Sequence, residues 1–250
     1  MYKEHHVTVV IPALNEEKAI PRVIKQLKAL KYEGLQVVDN VIVCDNGSTD
    51  NTAALSEECG AHVVYQAKKG YGIACLTAIS AINDTDIVLF VDADDSCFIK
   101  QTFDLLNAIL GGADLAIGSR SLGNAEEGAL TPLQKFGNAL SSRLISTLWS
   151  HDITDLGPFR AVTYEKLLCL EMQDQRFGWT VEMQVKAIQL GLNVQEVPVD
   201  SKVRIGQSKI SGTLKGAVGA GIGILSMIAR LRLQQRSFLK RQHQQSSSVF

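Results

Sequence analysis

The sequence predicts an α/β domain built on a mostly parallel sheet, and two observations carry that expectation. Short apolar runs rich in Val and Ile recur at 7–11, 41–44, 62–65, 87–91 and 115–118. They are nearly continuous rather than alternating, as strands buried on both faces are. Helical patterns lie between them at 17–30, 52–59, 72–82 and 100–110, and strand alternating with helix marks a parallel sheet flanked by helices. With 250 residues, 46% of them hydrophobic and 20% charged, the chain has the composition of one ordered domain with a small appendage. Disordered, collagen-like and coiled-coil classes are excluded.

Each element has its own marks. The first strand runs into IPALNEE (11–17) and the second into CDNGSTDNT (44–52), where Asp50 or Asn51 can cap the next helix. KKGYGIA (68–74) opens the third helix with two lysines and two glycines, an anion-friendly pattern. The fourth strand ends in FVDADD (90–95), Gly111-Gly112 closes the fourth helix, and the fifth strand runs into IGSR (117–120). After Arg120 the rhythm breaks into a polar loop, followed by a helix from Pro132 with Leu133, Phe136, Leu140, Leu144 and Leu148 on one face. DLGPFRA (155–161), a helix over 179–190, a strand near 194–199 and the donor-rich loop VRIGQSKISG (203–212) complete this part.

Leu214, Val218, Ile222, Leu225, Ile228 and Leu231 then recur at helical spacing. The stretch 216–229 is uncharged for 14 residues, short of the ~20 needed to span a bilayer. It is expected either to pack on the body or to lie on a membrane surface. Its four glycines also suit close packing on another helix, of this chain or of a second copy, which leaves a homo-oligomer open. The organisation expected is a domain over 1–212, an amphipathic helix over 213–236 and a disordered tail over 237–250.

The net charge of −1 hides an asymmetry: nine cations and no carboxylate follow Asp200, which leaves −10 on the first 200 residues. A segregated basic end implies an anionic partner, such as phosphate, lipid headgroups or nucleic acid. Five cysteines, odd in number and without a C-x-x-C pair, suggest reduced thiols in the cytoplasm. The apolar run before Pro12 is too short for a signal peptide.

The sharpest chemical signal is Asp92-Ala93-Asp94. Alternate residues of an extended chain point to one side, so both carboxylates face the carboxyl edge of the sheet, where open α/β proteins bind ligands. Unpaired they repel, and a hard divalent cation with substrate phosphate oxygens resolves the repulsion. Asn15 and Asp45 lie after two other strands that reach this edge and can bond a base or ribose.

In this order, VTVVIPALNEE, VIVCDNGSTDNT, KGYGIA, LFVDADD and IGSR resemble the family 2 glycosyltransferases of the GT-A fold, and within them the polyprenyl-phosphate (dolichol-phosphate) sugar transferase branch, over residues 7–212. The resemblance implies inverting transfer of a sugar from a nucleotide-sugar donor, assisted by Mg2+ or Mn2+. Carried over by position, Pro12, Ala13, Asn15, Glu16 and Asp45 would hold base and ribose. Asp92 and Asp94 would be the metal pair, Asp94 the more direct ligand, with Ala93 between them on the substrate. Lys69 and Gly70 would approach the donor, and Arg120, Arg204 and Lys209 would contact the donor diphosphate or an acceptor phosphate. The departures (DADDSCFIK, DLGPFRA and FGWTVEMQ) fall mostly on the acceptor side.

A lipid-phosphate acceptor is already a nucleophile, whereas a hydroxyl acceptor needs a base, for which Asp155 and Glu182 are the candidates. The basic end and the apolar stripe extend the expectation to peripheral binding at an anionic, cytoplasmic membrane face, with no nucleic-acid partner. The alternatives are transfer to a soluble hydroxyl, a nucleotide-sugar-binding protein without turnover, and a D-x-D phosphatase. The phosphatase would carry its motif on the first strand, not the fourth. A Rossmann oxidoreductase would need G-x-G-x-x-G where ALNEEKA stands, and a P-loop is absent.

Overall fold

A computed structural model describes residues 1–206 and 214–247, with side chains of 219–240 in the last helix. The chain order is β1 (Val7–Ala13), α1 (Ile20–Lys28), β2 (Lys31–Tyr32), β3 (Leu35–Gln36), β4 (Asn40–Asp45), α2 (Thr52–Glu58), β5 (His62–Tyr65), α3 (Tyr71–Ser80), β6 (Ile87–Phe90), α4 (Thr102–Leu110), β7 (Leu115–Ser119), α5 (Pro132–Trp149), β8 (Arg160–Thr163), α6 (Tyr164–Cys169), α7 (Trp179–Gln189), β9 (Val194–Pro198) and α8 (Leu214–Ser247). Seven strands form one sheet in the order β5-β4-β1-β6-β8-β7-β9. All neighbours are parallel except β8, which runs antiparallel between β6 and β7. The carboxyl ends of β1, β4, β6 and β7 therefore share one edge.

The period-2 pattern sorts the strand side chains into two cores. Val7, Val9 and Ile11 of β1 face α1 and α4, where Val23, Ile24, Leu27, Leu105 and Ile109 are buried. Val10, Ile42, Phe90 and Ile117 face the other way, onto α3 and α7 through Ala74, Cys75, Ala78, Trp179 and Met183. All five cysteines are free thiols.

Three differences from the sequence expectation bear on the site. Strand β8 was not expected: it is four residues long and opens on the fully buried Arg160, a polar residue that hides the apolar run. Helix α1 starts at Ile20, not at 17, because residues 14–19 form a turn in which Asn15 has φ 53° and Pro21 stands in the first helical turn. Helix α8 runs past Arg236 to Ser247; 248–250 lie outside the described residues.

The apolar stripe of α8 divides. Met227, Ile228 and Leu231 are buried against Val181 and Val185 of α7 and Ile145 of α5, and Lys186 lies 5.3 Å from the Phe238 ring centroid. Ile222 and Leu225, one to two turns earlier, are exposed. The segment of α8 from Met227 to Phe238 is part of the body. Ile228→Ala should lower the unfolding free energy by about 2–5 kcal/mol in urea titration, while Leu233→Ala, at 85% exposed, should change it by less than about 0.5 kcal/mol. Equal, negligible effects of both would show that α8 does not pack there.

Candidate active site

The turns after β1 and β4 are laced together. Asn15 Oδ1 accepts from Thr49 N at 2.8 Å, Asn15 N donates to Ser48 Oγ at 2.9 Å, and Glu16 N donates to Thr52 Oγ1 at 2.8 Å. Gly47, with φ 78°, turns this backbone in a conformation that costs other residues strain. Asp45 is buried and accepts from Ser48 N at 3.2 Å, so Asn15 and Asp45 brace the wall of the site from behind. Asn46, overlooked in the sequence, donates to the carbonyls of Gln66 and Lys68 and accepts from Gly70 N at 2.7 Å. It fixes the 66–70 segment beside that wall.

The glycines of KKGYG serve a different purpose from the one expected. A Cβ on Gly70 or Gly72 would lie 2.1 Å from the carbonyl oxygen of Gln175 or Asp174. Gly72 N donates to Arg176 O and Ile73 N to Gln175 O, both at 3.1 Å. The Gly72 and Ile73 N–H groups in the first turn of α3 are thus occupied by the 175–176 backbone and are not free for a phosphate. The glycines let two backbones meet, and they bring Arg176 and Phe177 to the site.

Three carboxylates stand beyond β6, each with its own partner. Asp92 is half-buried and accepts from Tyr71 Oη at 3.1 Å. Asp94 is buried; Arg204 Nη1 is 2.8 Å from its Oδ2, and Ser96 N donates to its Oδ1 at 3.1 Å. Asp95, with φ 58°, is held by Arg22 at 3.0 Å, Lys202 at 2.9 Å and Gln26 at 3.0 Å. Desolvation and, second, the neighbouring Asp94 charge push the Asp92 carboxyl up to about 6, against the pull of Arg204, the Tyr71 hydroxyl and Arg120.

Neither expected base is placed to act as one. Asp155 is 0% exposed and takes both Nε and Nη2 of Arg120, at 2.8 and 2.7 Å, together with Arg120 N at 2.7 Å. It positions Arg120, whose guanidinium lines the site. Glu182 is buried on α7, pairs with Lys186 at 2.8 Å and accepts from Gln173 N and Asp174 N. It anchors the 173–176 segment from outside the groove.

These residues surround a groove of about 770 Å³. Of the sequence candidates, Pro12, Ala13, Glu16, Lys69, Gly70, Asp92, Ala93, Asp94, Arg120 and Arg204 line it; Lys209 lies outside the described residues. One end is polar, between the β1, β4 and β6 turns. The other is largely apolar: Leu133, Phe136 and Leu140 of α5, Phe177, and Ile224 and Leu225 of α8 line it, with Gln134, Asn138 and Ser141 of α5 between them. Neither α5 nor α8 carries an Asp or Glu. Tyr71 and Phe177 stood only as members of the KGYGIA and FGWTVEMQ segments, and Arg176 lay outside every motif; a pattern of KGYG facing a distant QRFG gives no local signal of contact.

Residues 8–168 match the model of Glycosyl transferase family 2. The chain is 34% identical to an uncharacterized glycosyltransferase of Mycobacterium tuberculosis, over 89% of this chain and 98% of that protein. It is 30% identical to the dolichyl-phosphate hexose transferase of Haloferax volcanii (93% and 99% covered) and to the polyprenol monophosphomannose synthase of Mycolicibacterium smegmatis (82% and 81%). The crystal structure of glucosyl-3-phosphoglycerate synthase from Mycobacterium tuberculosis, in complex with Mn2+, uridine diphosphate and glucosyl-3-phosphoglycerate, superposes with a TM-score of 0.71 at 23% identity, over 90% of this chain and 79% of that one. The chain belongs to glycosyl transferase family 2, and its fold is the GT-A fold.

A carboxyl raised in the folded state weakens the fold wherever it is ionised, fully above about 6 and not at all below its ordinary value of 3.8. Asp92→Asn keeps an acceptor for Tyr71 and removes that charge. In chelator at pH 7.5 the variant should melt higher, by about 2–4 °C per kcal/mol recovered, and the advantage should shrink as the pH falls from 6 to 4. Equal melting temperatures at pH 7.5 would contradict the electrostatic account of Asp92.

Proposed function

We propose that this family 2 glycosyltransferase moves a hexose, with inversion, from a nucleoside-diphosphate sugar to a polyprenyl-phosphate lipid, and that Mg2+ or Mn2+ assists at Asp92 and Asp94. The observation that carries the acceptor is the division of the groove. Its polar end carries the carboxylates, and its apolar wall, formed by α5 and α8, begins beside them. A long isoprenoid chain suits such a wall; a small polar acceptor does not need one.

The donor set fits a hard divalent cation. Asp92 and Asp94 offer carboxylate oxygens, and no group of three His, Cys, Asp or Glu capable of holding a metal occurs among the described residues. A cation held this way keeps positions for diphosphate oxygens, and when bound it supplies charge neutralisation on the departing nucleoside diphosphate. Arg120, oriented by Asp155, is a preorganised cation at the same end, of the kind that stabilises charge building in the transition state, and Lys69 lines the groove beside it.

The lining carboxylates among the described residues, Glu16, Asp92 and Asp94, all stand on the strand-end turns, and the wall of α5 and α8 adds none. A phosphate nucleophile needs no proton removed, which agrees with Asp155 and Glu182 being occupied elsewhere. Arg176, beside Phe177, lines the groove and forms no ion pair among the described residues. It is the cation we assign to the acceptor phosphate.

The same geometry supports work at an anionic membrane surface. No helix among the described residues is long and apolar enough to cross a membrane. Phe136 (66% exposed) and Ile222 (64%) project from helices that carry Lys135, Arg143, Arg230, Arg232 and Arg236 and no acid. Each such cation near an anionic surface contributes about 1 kcal/mol.

Incubation with Mn2+, labelled nucleotide hexoses and either polyprenyl phosphate or polyprenol tests the reading. Labelled lipid is expected with the phosphate alone; transfer to polyprenol or to a soluble acceptor, or release of inorganic phosphate, would replace it with the corresponding alternative. Arg176→Gln should raise the KM for polyprenyl phosphate about tenfold to a hundredfold, as expected for a lost hydrogen bond to a charged group, with donor binding unchanged. Phe136→Ser should reduce co-sedimentation with anionic vesicles, and undiminished binding would place the membrane contact elsewhere.

A further inference from the structure

Arg204 contacts Asp94, the carboxylate assigned to the cation, and lines the groove in which a diphosphate would lie. We infer that Arg204 couples the two ligands: its guanidinium holds Asp94 until donor and cation arrive together, and is then transferred to the diphosphate. This rests on the metal reading of Asp92 and Asp94, and it adds that cation and nucleoside diphosphate bind synergistically through one side chain.

The contacts of Asp94 separate a fixed partner from an exchangeable one. Oδ1 is engaged by the backbone N–H of Ser96 at 3.1 Å, while Oδ2 is engaged by Arg204 Nη1 at 2.8 Å. A divalent cation ligated through Oδ2 competes directly with that guanidinium, and like charges drive the loser off the shared oxygen. The long Arg204 side chain is 31% exposed, against 7% for Asp94, so it has room to leave.

The backbone beneath it is tied down. Lys202 N donates to Ser96 O at 3.0 Å, and Ile205 N donates to Asp94 O at 2.9 Å. Lys202 Nζ is 2.9 Å from Asp95, a carboxylate that Arg22 also pairs. The segment from 202 to 205 stays fastened to the end of β6, and the Arg204 side chain changes partner by rotation. Lys202 is not available for the exchange, since Asp95 holds it.

Two consequences follow from the donor set. The cation alone must displace Arg204 and yet gains only the oxygens of a carboxylate pair, so it binds weakly. With a nucleoside diphosphate present, the cation gains phosphate oxygens and the released guanidinium gains a charged, bidentate partner. By linkage, each ligand tightens the other by the same factor.

Mn2+ binding, followed by the electron paramagnetic resonance of free Mn2+ in the full chain with and without UDP or GDP, tests this without turnover. Wild type should bind Mn2+ weakly alone and roughly tenfold or more tightly with the nucleotide. Arg204→Gln should move the two quantities in opposite directions: Mn2+ alone binds roughly tenfold tighter, and the gain from nucleotide shrinks by a similar factor. Arg204→Lys should fall between, with the fold checked by circular dichroism. A folded Arg204→Gln protein that binds Mn2+ alone no tighter than wild type would overturn the inference while leaving the metal reading intact. A wild-type protein that binds no Mn2+ even with UDP and GDP would overturn both.

Discussion

Three carboxylates within four residues at the end of the central strand β6 are the constraint on which the site depends. Left together in a desolvated groove they would repel strongly, and the surrounding fold answers each one differently. Asp95 is neutralised permanently by Arg22 and Lys202, which also fastens the 202–205 segment. Asp94 is neutralised by Arg204, a side chain free to exchange. Among the described residues Asp92 has only a neutral hydrogen-bond partner, Tyr71, and its carboxyl rises to about 6. The result is one structural carboxylate, one exchangeable and one destabilised. Such a gradient suits a site that takes its remaining positive charge from a ligand.

The supporting shell follows the same logic. Tyr71 reaches Asp92 only because α3 begins where Gly70 and Gly72 allow the 174–176 backbone to close over it. That backbone is in turn held by Glu182, paired with Lys186, and Lys186 lies under Phe238 of α8. Helix α8 is thereby joined both to the body and to the groove. Its middle buries Ile228 and Leu231 and contributes to stability, while the turns before it leave Ile222 and Leu225 open at the apolar end.

Much of this was legible in the sequence. The five parallel strands, the edge on which they end, the Asp92/Asp94 pair and the family were carried by local patterns: continuous β-branched runs, strand-end turns and motifs in fixed order. What was not legible depends on distant contacts. Strand β8 is concealed by Arg160, a buried cation whose partners are the carbonyls of Gly157 and Thr180. Asp155 and Glu182 read as candidate bases because a carboxylate in sequence carries no mark of its ion partner; folding gives one to Arg120 and the other to Lys186. The KGYG glycines read as an anion site because sequence does not reveal which backbone approaches. The α8 stripe was compatible with packing and with a membrane, and it divides between packed Met227, Ile228 and Leu231 and exposed Ile222 and Leu225.

The most direct test of the central claim is anomalous diffraction from crystals grown with Mn2+ and either UDP or GDP. One strong manganese peak is expected on the carboxylates of Asp92 and Asp94, in contact with the diphosphate. A bound nucleotide with no manganese at those carboxylates, or manganese held elsewhere in the groove, would contradict it.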